Sequence, residues 1–204
     1  MKTRERILEC ALALFNAKGE SNVSTLEIAT ELGISPGNLY YHFHGKEPII
    51  LELFERFRAE LEPLLDPPMD LRLEIDDYWL FLNLLAERLA QYRFLFQDLG
   101  NLAHGMPKLA RGVRLWLNQL KRTLAAMLAQ LKAQGQLRSD TLALGQLVEQ
   151  ICLTLIYSLD YQRILGSPGE VRLVVYQIMM LVTPHLQESL RPATEQLVQK
   201  YLQA

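Results

Sequence analysis

Residues 24–47 read Ser24-Thr25-Leu26-Glu27-Ile28-Ala29-Thr30-Glu31-Leu32-Gly33-Ile34-Ser35-Pro36-Gly37-Asn38-Leu39-Tyr40-Tyr41-His42-Phe43-His44-Gly45-Lys46-Glu47, and this stretch decides the fold. Ser24-Thr25-Leu26-Glu27 is a capping box: the serine hydroxyl takes a free backbone N–H, and the glutamate reaches back to the cap. The helix it opens ends at Gly33, where a tight turn needs a positive φ. Ser35-Pro36 opens a second helix over about 36–43, because serine caps and proline sits where no N–H is needed. Ala29 is small where two helices would cross closely. Ile28, Leu32, Ile34, Leu39 and Phe43 supply an apolar underside; Leu39 and Phe43, four apart, point inward together. That leaves Pro36, Gly37, Asn38, Tyr40, Tyr41 and His42 facing outward or toward the helix start. Exposed asparagine, tyrosine and histidine are odd on a purely structural helix. They suit a surface that hydrogen-bonds phosphates and packs on sugars and thymine methyl groups. The arrangement is a helix-turn-helix.

Working outward, helical periodicity runs from end to end, and no strand alternation appears. A first helix spans 2–18, with Ile7, Leu8, Ala11, Leu14 and Phe15 as its apolar stripe and Gly19 as its stop. A helix starting near Lys46 runs into the 60s, with breaks expected at Pro63 and at Asp66-Pro67-Pro68. Residues 71–98 read as one or two helices, and Gly100 to Pro107 as a break. From 108 to 133, Leu109, Val113, Trp116, Leu120, Leu124, Met127 and Leu131 share one face. Helices at about 140–165 and 169–183 follow, separated by a capping box at Gly166-Ser167-Pro168-Gly169-Glu170. Thr183-Pro184 kinks or ends the latter, and Arg191-Pro192 starts a short last helix. The expected class is all-α: a three-helix head over 1–62 and a helical body over 63–204.

Composition excludes several classes. Half of the 204 residues are hydrophobic, so the chain is not disordered. Two cysteines, Cys10 and Cys152, make neither a disulfide framework nor a four-ligand zinc site. The charged start leads into an amphipathic pattern rather than a signal peptide. The most apolar stretch, Leu173 to Val182, is too short to cross a bilayer. A soluble, cytoplasmic chain with no membrane partner is expected. His44, His104 and His185 have no metal-ligand spacing. Asp76-Asp77 diverge on a helix. No P-loop, GxGxxG, GxSxG or HExxH occurs, so no enzyme, metal or cofactor is expected. Net charge is −2, but residues 99–139 hold seven basic and no acidic groups, whereas 48–98 hold five basic and eleven acidic.

Residues 3–60 resemble the TetR family of bacterial transcriptional regulators. The resemblance rests on Ala11-Leu12-Ala13-Leu14-Phe15 before Gly19, on Ile28-Ala29, on Gly33-Ile34-Ser35, and above all on Ser35 to Phe43 followed by Lys46-Glu47. It implies a DNA-binding head, a linking fourth helix, and a helical ligand-binding and dimerisation body. Carried over, Thr25 and the helix end beside it meet a phosphate. Ser35 caps the recognition helix. Pro36, Gly37, Asn38 and Tyr40 face the major groove of double-stranded DNA, and Tyr41, His42 and Lys46 grip its backbone. Two departures stand out. Glu20 follows Gly19 where the family usually has an aromatic residue, which implies looser packing of the first helix. No Arg or Lys lies between 19 and 45, so bidentate guanine readout by Arg is absent and specificity leans on Asn38, Tyr40 and DNA shape.

In the body, two helices are apolar on more than one face and need cover on two sides. Leu144, Val148, Ile151 and Leu155, with Val171, Val174, Val175 and Ile178, are the expected homodimer interface, a four-helix contact. That dimer would read a near-palindromic operator. A pocket for an apolar or amphipathic effector would lie between helices. Its candidates are Trp79, Phe94, Phe96, His104, Trp116 and Tyr157, with Tyr78, Phe81 and Tyr92 beside them. Arg111 and Arg114 could hold an anionic head at its mouth, or could simply be a solvated face. The reading is a ligand-responsive repressor. The rivals are a constitutive DNA-bound scaffold without effector, and a helical carrier or enzyme.

Overall fold

Both serine caps form. The Ser24 hydroxyl accepts from the Glu27 N–H, and the Ser35 hydroxyl from the Asn38 N–H, each at 3.1 Å. They open α2 (Thr25–Glu31) and α3 (Pro36–His42), which follow α1 (Thr3–Lys18) and precede α4 (Lys46–Leu65). Gly33, at φ +65°, turns the chain between α2 and α3, and the Ile34 N–H closes back on the Ala29 carbonyl at 3.0 Å. The computed structural model describes residues 2–66, 74–167 and 169–203. The expected break at Pro67-Pro68, and Pro168 of the later turn, lie outside them. Among the described residues the fold is all-α, with a single isolated antiparallel bridge, Leu137 to Leu186.

Beyond α4 come α5 (Ile75–Gln91), α6 (Phe94–Gln97), α7 (Leu99–Gly105), α8 (Pro107–Ala133), α9 (Thr141–Ile164), α10 (Val171–Val182) and α11 (Arg191–Gln203). Two breaks differ from expectation. Pro63 lies inside the last turn of α4, where it removes one N–H bond without ending the helix. The Gly100 to Pro107 stretch is largely helical, and Pro107 serves as the first residue of α8.

The chain divides into two compact units: Met1–Glu60 with Gln91–Arg114, and Leu61–Ala90 with Leu115–Ala204. Residues 91–114, which the sequence division placed in the body, thus pack with the head. In the first unit, Phe57 is fully buried and its ring meets Tyr92 and Phe96 at 5.5 Å each and Phe54 at 6.1 Å. Tyr92 donates its hydroxyl proton to Glu60 at 2.7 Å. Asn16 knots the end of α1 to the turn before α6: its amide donates to the Gln91 carbonyl at 2.7 Å and accepts from the Phe94 N–H at 3.1 Å. Gly112 lies against Phe54, where an added Cβ would fall 2.5 Å from the ring and force it to shift.

In the second unit, α9 and α10 pack side by side. Ser158 donates to Gln177 between them, and Gln162 accepts from the Glu170 N–H at 2.7 Å. Here most of the expected dimer contacts turn inward. Val148, Ile151, Leu155, Val174, Val175 and Ile178 are buried within this unit, at 5% exposure or less, and Leu144 and Val171 are half-buried. The stripe chosen for its regularity is the one that covers the protomer's own core. The apolar side chains left outside on α9 are Leu142, Leu153, Tyr157, Tyr161 and Ile164, with Met180 on α10. α9 itself is 24 residues long and apolar enough to cross a membrane by length and composition alone. Its inward face is nonetheless packed in this unit's core.

Candidate nucleic-acid interface

The capped helix pair holds an outward face. Pro36, Gly37, Asn38, Tyr40 and Tyr41 are exposed on α3, and Tyr41 keeps 81% of its surface. Leu39 and Phe43 anchor the other side of α3 at 2% exposure each. Thr25, Leu26, Pro36, Gly37 and Tyr40 line an open groove of about 360 Å³ between the start of α2 and α3. The Tyr40 ring meets His44 edge-on at 4.8 Å, and the Tyr41 ring meets the half-buried His42 at 5.2 Å. These contacts brace two large rings on the surface. Phenol hydroxyls, an amide and imidazoles are groups that donate to phosphate oxygens and base edges.

The structure therefore brings Thr25, Pro36, Gly37, Asn38, Tyr40, Tyr41 and His42 together, with Ser35 spent on its cap. Lys46, read from the sequence as a backbone grip, is in this structure also tied to the chain itself. Its ammonium donates to the carbonyls of Glu20 at 2.9 Å and Val23 at 3.1 Å, and pairs with the Glu20 carboxylate at 2.8 Å. An ammonium has three N–H bonds, and all three are taken. Glu20 is thus no gap in the packing of α1. It pins the turn after α1 to the start of α4, with its side chain only 11% exposed.

Sequence reasoning missed the role of α1. Arg4 donates from Nη1 to the His42 carbonyl at 2.9 Å, pairs with Glu52, and lies 4.2 Å over the Phe43 ring. It thereby clamps the last turn of α3. The signal available was an alternation of cations at Lys2, Arg4 and Arg6. At the other end of α1, Lys18 pairs with Glu27 at 2.6 Å; the shared hydrogen bond lifts the lysine above its ordinary pKa and lowers the glutamate.

The effector candidates scatter. Phe94 and Phe96 belong to the aromatic core of the first unit, where His104, Arg111 and Arg114 are exposed. In the second unit Trp116 is buried at 2% exposure, Trp79 packs edge-on to Tyr201 at 4.9 Å, and Tyr157 is half-exposed on α9. Tyr78, also there, is fully buried, and its hydroxyl has no hydrogen-bond partner among the described residues. Among the described residues no three His, Cys, Asp or Glu side chains cluster to hold a metal ion.

Two family models match the chain. Residues 7–53 match the bacterial regulatory proteins of the tetR family, and residues 56–193 match a TetR model described as a bacterial transcriptional repressor. The chain belongs to the TetR family of bacterial transcriptional regulators. A TetR-family transcriptional regulator from Marinobacter aquaeolei VT8 has the same fold throughout: 31% identity, TM-score 0.92, 98% of this chain and 99% of that one. The HTH-type transcriptional regulator AcrR of Shigella flexneri is 41% identical over 63 residues, 31% of this TetR-family chain. The chain spans 29% of AcrR's length in that match. The SmeT–triclosan complex shares the fold at a TM-score of 0.67 and 18% identity, over 92% of this chain and 93% of that one. SmeT is the repressor of the Stenotrophomonas maltophilia multidrug efflux pump SmeDEF.

Proposed function

We propose that this TetR-family chain is a cytoplasmic, homodimeric repressor that reads a near-palindromic operator and releases it when a small molecule binds its second unit. The observation that carries the reading is the outward face of α3. Asn38, Tyr40 and Tyr41 stand exposed on a helix whose other side is locked into a core. An 81% exposed tyrosine beside a 61% exposed one offers two large rings to a partner. Each chain carries one such helix, and two grooves of a duplex lie about one turn, roughly 34–36 Å, apart. The outward apolar stripe of α9 supplies a self-complementary surface for the second copy.

Roles divide by reach. Asn38 and Tyr40 face base edges, and Tyr41, His42 and Thr25 meet phosphates. Asn38→Ala is therefore expected to change which sequences are selected from a random duplex pool. Tyr41→Ala is expected to weaken all of them alike, by about tenfold for one lost charge-assisted contact. Loss of no preference in Asn38→Ala and a changed preference in Tyr41→Ala would reverse the assignment.

The effector reading rests on Tyr78. A buried hydroxyl left unmet costs about 1–3 kcal/mol. Burial first, and Cys152 second, hold its phenol far above the ordinary value, so it remains a donor. A ligand with an apolar body and an acceptor, such as a carbonyl, carboxylate or phenol oxygen, would satisfy it. SmeT, of the same fold, is a precedent for an amphipathic phenol in such a protein. Calorimetric titration with triclosan and with decanoate is the test. Tyr78→Phe is expected to weaken the better binder by about tenfold and leave DNA affinity alone. A variant that gains stability and binds equally well would make the hydroxyl a purely structural feature.

A further inference from the structure

Every phosphate that a protein neutralises needs a positive charge, and residues 19–45 contain none from Lys or Arg. The flanking cations are mostly committed. Lys18 pairs with Glu27, Lys46 with Glu20, Arg56 with Glu5, Arg58 with Glu55 and Arg4 with Glu52. Over residues 2–60, among the described residues, that leaves Lys2 and Arg6 without an acidic partner, and both are exposed.

Their place follows from two contacts. The Cys10 thiol lies 4.0 Å from the Ile28 carbonyl, and Arg6 Nη2 lies 3.4 Å from the Leu32 carbonyl. Moving four residues back along α1 thus moves four forward along α2, so the two helices run antiparallel on this face. The next position back in the same row is Lys2. As the N-cap of α1, it continues that row toward the end of α2. Arg4, between them, already touches the last residue of α3 through the His42 carbonyl at 2.9 Å. The start of α1 therefore abuts the ends of both helices of the motif.

We propose that Lys2 and Arg6 form a second, cationic DNA contact. They hold backbone phosphates beside the recognition helix and supply the charge that helix lacks. This rests on the DNA-binding reading above. The recognition helix then selects sequence with neutral groups, and the start of α1 carries the sequence-independent attraction. Lys2 and Arg6 make no ion pair among the described residues, so swapping them for glutamine should leave the fold intact. The single Arg6 bond to Leu32, at 3.4 Å, is long for a hydrogen bond.

The test is the salt dependence of DNA binding. The full chain is first used to select a duplex from a random pool. Its affinity is then followed by fluorescence anisotropy between about 50 and 200 mM KCl. Each phosphate contact contributes a slope of about 0.9, so Lys2→Gln with Arg6→Gln should flatten the slope of a dimer by about 3.6. Lys18→Gln, whose ammonium is held by Glu27, should leave it unchanged. Circular dichroism of each variant checks the fold. A double variant with the wild-type slope overturns the proposal, as does an equal loss in Lys18→Gln, which would mean a diffuse field instead of a contact. Wild-type protein that selects no duplex overturns the DNA-binding reading itself, a result distinct from either.

Discussion

Leu153→Arg, and Tyr157→Glu separately, are expected to turn the protein into a monomer and to weaken operator binding by about 10²–10⁴-fold. The outward face of α9 carries Leu153, Tyr157, Tyr161 and Ile164, exposed by 57%, 51%, 58% and 70%. Contiguous apolar surface of this kind marks an interaction site. A charge placed in it would have to be desolvated against the same charge in the second copy, close to the symmetry axis. Once the dimer is lost, the two recognition helices no longer bind as one. The second contact loses its effective concentration, and that term alone is worth about 10²–10⁴-fold. Sedimentation velocity gives the oligomeric state and anisotropy gives the affinity. Neither substitution touches the buried stripe of Ile151 and Leu155, so thermal unfolding should show a folded monomer. Variants that remain dimeric would place the interface elsewhere.

Phe57→Ala should produce the largest loss of stability in the first unit, about 3–5 kcal/mol. The ring is fully buried and meets Phe54, Tyr92 and Phe96, so its removal leaves a cavity walled by rigid rings that cannot collapse into it. Those rings tie α4 to residues 91–96, within the same unit as the recognition helix. Urea denaturation of the whole chain reads the change, and the transition assigned to this unit should move to lower denaturant. A loss below about 1 kcal/mol would mean that the neighbours repack, contrary to the geometry.

The helix pair was legible because its signals are local. A serine three residues before the N–H it accepts, a proline at the first helical position and a glycine at the turn each fix geometry within a few residues. The proposed interface on α9 was not. The inward stripe through Val148, Ile151 and Leu155 is more regular than the outward one, where Leu142, Leu153 and Tyr157 are interleaved with Gln146, Glu149 and Gln150. Hydrophobic period identifies a buried face, but the protomer's own core and a partner compete for it. The same limit applies to Phe94, Phe96 and Trp116: an aromatic residue type does not distinguish a core from a pocket. The Lys46 ion pair was illegible for a different reason. Its neighbour Glu20 is 26 positions away, and only the folded turn after α1 brings the carboxylate to the ammonium. The Gly100 to Pro107 segment misled because glycine permits a helix as well as a break, and packing decides.

The most direct measurement is the stoichiometry and symmetry of the protein on selected DNA. Fragments of the source genome retained by the full chain are sequenced, and the complex with the best duplex is weighed by sedimentation equilibrium. The account predicts a near-palindromic site with half-sites about one helical turn apart, or a multiple of that, and an even number of chains per duplex. Enrichment of no sequence, or tight binding of one chain to a single half-site, would contradict it.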